Sequence, residues 1–420
     1  MNKKNLPIAI IGAGPIGLAT AAHLSREGKS FIILEMGNNV AHSVKNWAHV
    51  SMFSPWKQNL DSVSTVLLKQ YGWKSPNPNH FPTGQELIHH YLLPLAETPE
   101  IKPHLRLNSE VTAISRMGVD KMKDLNRANA PFVLHIVEGG EQKELFAKAV
   151  IDASGTWSVP NPMGANGLPV LGEQVNSAHI YYGIPDILGS ISKRYQNKTV
   201  TVVGSGHSAM NALLELAELK QAYPKTQLKW ILRKQHIEQA YGRLPEDPLT
   251  RRSRIGKKIA VLVQSEIIET HTPFLIEKIE TRDEQLGIMG QSTLGRETIL
   301  TDEIIVATGL RPNLDFLREL RISLDPAVES PIKMAPLIDP NEHDCNSVPP
   351  HGTEELKHPE TDFYIVGMKS YGRAPTFLLA TGYEQVRSVV ATLLKDQVVG
   401  RVHPKQSKGT QSETKETTCK

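Results

Sequence analysis

The chain carries one local pattern twice, about 192 residues apart: an apolar run, a glycine-rich turn, a helix-forming stretch and a second apolar run. In the first copy, Pro7–Ile11 is short and apolar, and Gly12-Ala13-Gly14-Pro15-Ile16-Gly17 turns the chain. Pro15 to Glu27 predicts a helix that Gly28 stops, and Phe31–Leu34 predicts a buried strand ending at Glu35. The second copy runs through Thr199–Val203, the turn Gly204-Ser205-Gly206-His207-Ser208-Ala209, and a predicted helix over Met210–Lys220. It closes with a predicted strand over Leu228–Leu232 that ends at Arg233-Lys234. Parallel strands need a crossover, usually a helix, so each copy predicts a βαβ unit. The separation is too long for a stacked repeat, and two nucleotide-binding domains are expected instead.

The first turn reads G-x-G-x-x-G. Gly12 permits a tight turn, Gly14 lets backbone approach a diphosphate, and Gly17 lets helix and strand pack closely. The helix start, with Pro15 in its first turn, favours negative charge. Glu35 is placed to accept hydrogen bonds from a ribose diol. The second turn reads G-x-G-x-x-A, with Gly204, Gly206 and Ala209 in the same positions. His207 and Ser208 would face the diphosphate, although His207 reads equally as a filled turn position. Arg233 and Lys234 stand where Glu35 stood. A 2′-phosphate needs cations there, which points to NADPH rather than NADH; the alternative is a solvated strand end. Two such sites on one chain point to hydride passing between cofactors, and the matching pair is FAD with NADPH.

Between the copies, Leu105–Ser115 and Phe132–Val137 alternate enough for a small β-meander, and Ala149–Ala153 reads as a strand running into Ser154-Gly155-Thr156-Trp157. Beyond the second copy, Thr272–Ile279 reads as β and Glu303–Ala307 as a strand leading into Thr308-Gly309. Residues 325–361 are irregular, Phe363–Val366 is a last strand, and about Pro375–Leu394 a closing helix. The expected architecture is α/β, an FAD-binding Rossmann-like domain with an inserted NADPH-binding Rossmann-like domain of the three-layer ββα/βα type. Its parts are a first FAD-binding segment at 1–165, the NADPH-binding domain at 166–300, a second FAD-binding segment at 301–400 with a loop covering the cofactor, and a disordered tail at 401–420.

Composition narrows the function further. The 47 basic and 44 acidic residues leave a net charge of +3, spread along the chain, without the basic stripe of a nucleic-acid binder. Cys345 and Cys419, the two cysteines, form neither a disulfide framework nor a C-x-x-C redox pair. The uncharged stretch Leu6–Leu24 is broken by prolines and glycines, so no membrane span is expected, and the protein is expected to be cytoplasmic. No G-x-S-x-G, H-E-x-x-H or G-x4-G-K-S/T motif supports a hydrolase or NTPase reading.

The order GAGPIG, DASGTW, GSGHSA, ATGLRPN and FYIVG resembles flavoproteins with two dinucleotide-binding domains, within the class B flavin monooxygenases and their relatives. GSGHSA and the Ser370–Gln385 segment look most similar to bacterial flavoproteins found beside metal or metalloid resistance genes. The resemblance implies that Gly12, Gly14, Gly17 and Glu35 hold the ADP half of FAD and that Val111 meets the adenine through its backbone. It implies that Gly155 and Gly309 sit at two interdomain crossovers, that Gly367 approaches the FAD, and that the helix after Pro375 points its start at the flavin. It further implies an NADPH-dependent monooxygenase that oxidises a small substrate with molecular oxygen through a C4a-peroxyflavin. A flavin reductase or electron-transfer flavoprotein without oxygen insertion is the alternative, and a homodimer stays open. Two family features are missing. The spacing around Gly172 and His179 departs from F-x-G-x3-H, and Ser51–Trp56 lacks the asparagine that related enzymes carry near the flavin.

Ser54 is the candidate polar group beside the reactive flavin edge. Trp47, Phe53, Trp56 and Trp73 read either as a pocket wall or as ordinary core. His343, Cys345, His351 and His358 fit no strong zinc spacing, so no metal site is expected; the loop could roof a substrate pocket.

Overall fold

A computed structural model describes residues 3–241, 250–342, 351–375 and 377–399. Two five-stranded sheets organise them. The first takes its strands, in spatial order, from Phe363–Ile365, Ala149–Asp152, Ile8–Ile11, Phe31–Leu34 and Leu105–Arg106. The second uses Ile268–His271, Gln227–Ile231, Thr199–Val203, Glu303–Val306 and Ile180–Tyr182. Every pairing in both sheets is parallel.

Parallel strands are covered on both faces, which is why they read as unbroken apolar runs. Side chains alternate along each strand and so enter different layers. Ile8 and Ile10 pack with helices Pro15–Arg26, Ser62–Gln70 and Leu379–Val399. Ala9 and Ile11 face an antiparallel sheet made of Ser109–Arg116, Phe132–Glu138 and Glu141–Ala147. The second sheet repeats the arrangement. Val200 and Val202 pack with helix His207–Ala222, while Val203 faces the antiparallel sheet Phe274–Arg282, Gln285–Ser292 and Gly295–Thr301. Each unit is therefore an antiparallel sheet, a parallel sheet and a helical layer, and all strands of the second parallel sheet lie in sequence between Ala149–Asp152 and Phe363–Ile365. The fold is α/β, with one Rossmann-like unit inserted into another.

Several expected boundaries move: the closing helix begins at Leu379 rather than about Pro375, and the β segment expected over Thr272–Ile279 is the strand Phe274–Arg282. The segment over 105–115 divides at Asn108, which has φ 51: Leu105–Arg106 joins the first parallel sheet, and only Ser109 onward enters the meander. The helix expected from Met210 begins at His207, because Gly206 is extended and caps it. Glu303–Val306 pairs with Thr199–Val203 and Ile180–Tyr182, so the second unit extends past the expected boundary at 300. The tail at 401–420, His343 and Cys345 lie outside the described residues. Among the described residues, no helix is long and apolar enough to cross a membrane.

Candidate functional site

Both glycine turns sit at the carboxyl ends of their sheets. At the first, Gly12 N donates to Leu34 O, Ala153 N to Ile11 O and Val366 N to Asp152 O, so neighbouring strands end level with one another. The three glycines are needed for three different reasons. Gly12 has φ 97, and a Cβ there would lie 2.9 Å from Ala153 O. A Cβ on Gly17 would lie 1.9 Å from Gly12 O. Around Gly14 a Cβ would meet nothing within 4 Å, so this side of the turn is open. Gly14 caps the Pro15–Arg26 helix without any side-chain hydrogen bond, leaving the first amides of the helix for a ligand.

Glu35 is buried, and each of its oxygens takes one backbone amide: Oε2 from Ala13 at 2.8 Å and Oε1 from Gly37 at 2.9 Å. The carboxylate thus braces the turn. An ionised carboxylate has about four acceptor sites, so one on each oxygen remains for a diol. Ser109 N donates to Glu35 O, which brings the strand carrying Val111 against this corner; Val111 is buried beside a register shift in that strand.

The second turn repeats the geometry with one difference. Gly204 has φ 126, and its Cβ would lie 2.3 Å from Ala307 O, whereas a Cβ on Gly206 would meet nothing. Trp230 Nε1 donates to Gly204 O at 2.7 Å and fixes the turn from the next strand. Ala209 is fully buried, so its methyl fits where the first turn has no space beside Gly17. Arg233 is exposed and has no ion-pair or hydrogen-bond partner among the described residues. Lys234 is half-buried and donates to Gln239 O at 2.7 Å. The two cations are therefore unequal.

Asn161 pins the two crossovers side by side. Its backbone N donates to Gly309 O at 2.9 Å, its carbonyl accepts from Thr308 Oγ1 at 2.6 Å, and its Oδ1 accepts from Arg311 Nε at 2.8 Å. The Ser51–Trp56 segment bridges the units from the other side. Phe53 packs against the second core, with its ring 4.9 Å from that of His207, edge on. Ser54 is buried and donates to Asn59 Oδ1 at 2.6 Å, while Asn59 Nδ2 donates back to Ser54 O. Tyr383, from the closing helix, donates to Asn59 O at 2.9 Å. Ser51–Trp56 itself carries no asparagine; the fold brings Asn59 against it from just beyond the segment.

The polar groups continue inward. Asp61 accepts from Ser64 N and Ser64 Oγ and lies 3.1 Å from His23 Nε2, and its backbone N donates to Tyr91 OH. Burial opposes ionisation of Asp61, but His23 and Ser64 together hold its carboxyl below the usual range. Of the aromatics left open by the sequence, Trp56 is core, Trp47 and Trp73 pack against that core, and Phe53 joins the second unit. Trp56 and Trp73 also floor a surface cavity of about 430 Å³ with His80, His89 and His90 on its wall. His351 lies 3.0 Å from Gln385 Nε2, and His358 Nδ1 accepts from Ser323 N at 3.3 Å. No metal-holding group of three or more side chains occurs among the described residues.

A family model described as pyridine nucleotide-disulphide oxidoreductase matches residues 9–344, which takes in both turns and both crossovers. The chain belongs to this family. Its name invokes disulfide chemistry, yet the sequence offers no C-x-x-C pair. Among curated relatives, the probable indole-3-pyruvate monooxygenase YUCCA9 of Arabidopsis thaliana is 28% identical over 216 residues, covering 50% of this chain and 44% of the relative. The chain spans less than half the length of the curated relatives it matches. Among solved structures, bacillithiol disulfide reductase from Bacillus cereus aligns with a TM-score of 0.68 at 18% identity, covering 93% of this chain and 99% of that one. The FAD-bound cadaverine monooxygenase of Erwinia amylovora gives 0.63 at 15%, covering 97% and 99%. At these identities the shared property is the fold. The sequence resemblance to flavin monooxygenases with two dinucleotide-binding domains agrees with these relatives.

Proposed function

We propose that this chain is an FAD- and NADPH-dependent oxidoreductase, and specifically a monooxygenase acting on a small molecule with molecular oxygen. The observation that carries the reading is the contrast between two near-identical turns. Each has an open glycine (Gly14, Gly206) at a helix start without a side-chain cap, but the neighbouring strand ends in Glu35 in one and in Arg233-Lys234 in the other. A carboxylate suits a free ribose diol, and cations suit a 2′-phosphate.

Gly12, Gly14, Pro15 and Gly17 would hold the FAD diphosphate on helix amides, Glu35 would take the ribose, and Val111 would border the adenine. Gly155 and Gly367 would line the remaining length of the FAD. Gly204, Gly206, His207, Ser208 and Ala209 would hold the NADPH diphosphate, with Arg233 as the main cation and Lys234 as support; Gly309 lies at the crossover between the sites. Bound FAD supplies hydride acceptance and reaction with oxygen. The protein's part is alignment and exclusion of water, for which the Phe53–His207 contact closes the Ser51–Trp56 segment onto the second unit. In this reading Ser54, with its hydroxyl oriented by Asn59, is the polar group nearest the reactive flavin edge. The FAD-binding unit comprises 1–165 and 307–400, the NADPH-binding unit 166–306, and the protein is cytoplasmic. The monooxygenase names of curated relatives support the oxygen-inserting reading over the reductase alternative.

Purified protein tests the proposal. It is expected to be yellow, to bleach with NADPH more readily than with NADH, and to couple oxygen uptake to product across a panel of amines, sulfides, ketones and trivalent metalloids. Colourless protein that takes up no added FAD overturns the reading. Bleaching followed by oxygen reduction with no oxidised product in any member of the panel shifts it to the reductase alternative.

A further inference from the structure

Beneath the first glycine turn lie two buried charges outside the nucleotide contacts proposed above. Asp152 ends the Ala149–Asp152 strand, and Lys369 lies in the Gly367–Tyr371 turn, 217 positions later. Neither side chain has any exposed surface, and Lys369 Nζ donates to Asp152 Oδ2 at 2.6 Å. The ammonium also donates to Ser154 Oγ at 3.1 Å and sits 4.2 Å from the centre of the Phe316 ring. The other oxygen, Asp152 Oδ1, accepts from Ser154 N at 3.0 Å and from Ser154 Oγ at 2.6 Å.

Stability is a weak reason for such a pair, since apolar residues of similar volume are often at least as stable in a core. Its position is more informative. The Asp152 carboxylate closes the turn through Ala153, Ser154 and Gly155, and Gly12 rests on that turn: a Cβ there would lie 2.9 Å from Ala153 O and 3.1 Å from Ser154 Cα. The lysine holds the opposite wall. A Cβ on Gly367 would lie 3.0 Å from Ile16, in the helix that the glycine turn begins. Gln385 secures the same wall: its Oε1 accepts from Gly367 N at 2.8 Å, and its Nε2 donates to Ser370 Oγ, which donates to Gly367 O.

We propose that Asp152 and Lys369 are positioning residues for the flavin dinucleotide, tying the 153–155 turn to the 367–371 turn so that the Gly12–Gly17 cradle is formed before the cofactor arrives. This inference rests on the FAD reading above. Preorganisation of this kind raises affinity by removing an ordering cost from binding. The pair also keeps the floor of an anion site electrically neutral. Without Lys369 a buried carboxylate is left under a diphosphate, whereas without Asp152 no negative charge is left there.

The test measures FAD dissociation constants by flavin fluorescence and apoprotein melting temperatures on the full chain. Lys369→Met is expected to weaken FAD by about tenfold or more, and by more than Asp152→Asn does. The double variant Asp152→Leu/Lys369→Met is expected to regain the melting temperature but not the FAD affinity. Ser154→Ala removes hydrogen bonds without stranding a charge, and is expected to weaken FAD by roughly threefold or more even if the single charge variants do not fold. FAD affinity that follows the melting temperature in every variant, or that is unchanged in Ser154→Ala, overturns the positioning role. Wild-type protein that takes up no FAD overturns the nucleotide reading itself, a result separable from either.

Discussion

Gly17 lies directly under Gly12, so close that a Cβ on Gly17 would fall 1.9 Å from the Gly12 carbonyl oxygen. Two residues away, the same added atom on Gly14 would meet nothing within 4 Å. One glycine in the motif serves packing and the other serves a ligand, and substitution separates the two.

Gly17→Ala is expected to cost about 2–4 kcal/mol, because the backbone contact cannot yield without moving helix from strand. Gly14→Ala is expected to keep the wild-type melting temperature, since its backbone is already extended at φ −81 and ψ −172, and to lose FAD because the methyl occupies the diphosphate's side. Thermal unfolding and flavin content of the two purified variants check this contrast.

Arg233 is the less committed of the two strand-end cations, because Lys234 already donates to Gln239 O. Arg233→Ala is expected to raise the KM for NADPH by about tenfold or more and to leave NADH nearly unchanged, as loss of one charge-assisted contact requires. Lys234→Ala is expected to have the smaller effect. Steady-state kinetics with both nucleotides decide; an equal loss for NADPH and NADH removes the basis for the cofactor choice.

Glu215 gives the second unit a pH dependence. Burial pushes its carboxyl up to about 7, with Asp186 and Glu218 adding to the shift, and its Oε2 has no hydrogen-bond partner among the described residues. Between its ordinary value of 4.5 and about 7, the folded chain holds a proton that the unfolded chain has released. The stability from this group is therefore complete below the lower value and lost as pH rises through the upper one. Glu215→Gln is expected to match wild type at pH 5 and to exceed it at pH 8 by roughly 1–3 kcal/mol, read from denaturant unfolding at the two pH values.

Glu360 joins two buried guanidinium groups, accepting from Arg116 Nε at 2.7 Å and from Arg127 at 2.6 Å. Glu360→Ala leaves both charges without their carboxylate and is expected to cost about 3–5 kcal/mol. Glu360 lies before the amino end of the Phe363–Ile365 strand, whereas the glycine turn lies beyond the carboxyl ends, so flavin bound per folded molecule is expected to stay at wild-type level. Denaturant unfolding and a flavin-to-protein ratio measure the two quantities.

Local geometry made much of this readable in advance. The run Gly12 to Glu35 spans a single strand, turn, helix and strand, so the spacing of its glycines and its acid follows from helix pitch and strand length alone. The same logic recovered Thr199–Val203 at its observed bounds. The limit shows at Glu303–Val306. An apolar strand buried on both faces looks alike in either parallel sheet, and only its pairing with Thr199–Val203 assigns it.

By itself, then, the sequence determined two βαβ units and the opposed charges at their strand tips, because each is written within some 30 residues of chain. Tertiary structure alone decided that Asn59 would meet Ser54, that Phe53 would lie against His207, and that Lys369 would neutralise Asp152. Long-range contacts of this kind leave no periodic trace: a lysine in an apolar strand-end segment looks like any surface cation until packing removes the water around it and a carboxylate at the end of the neighbouring strand becomes its counter-charge.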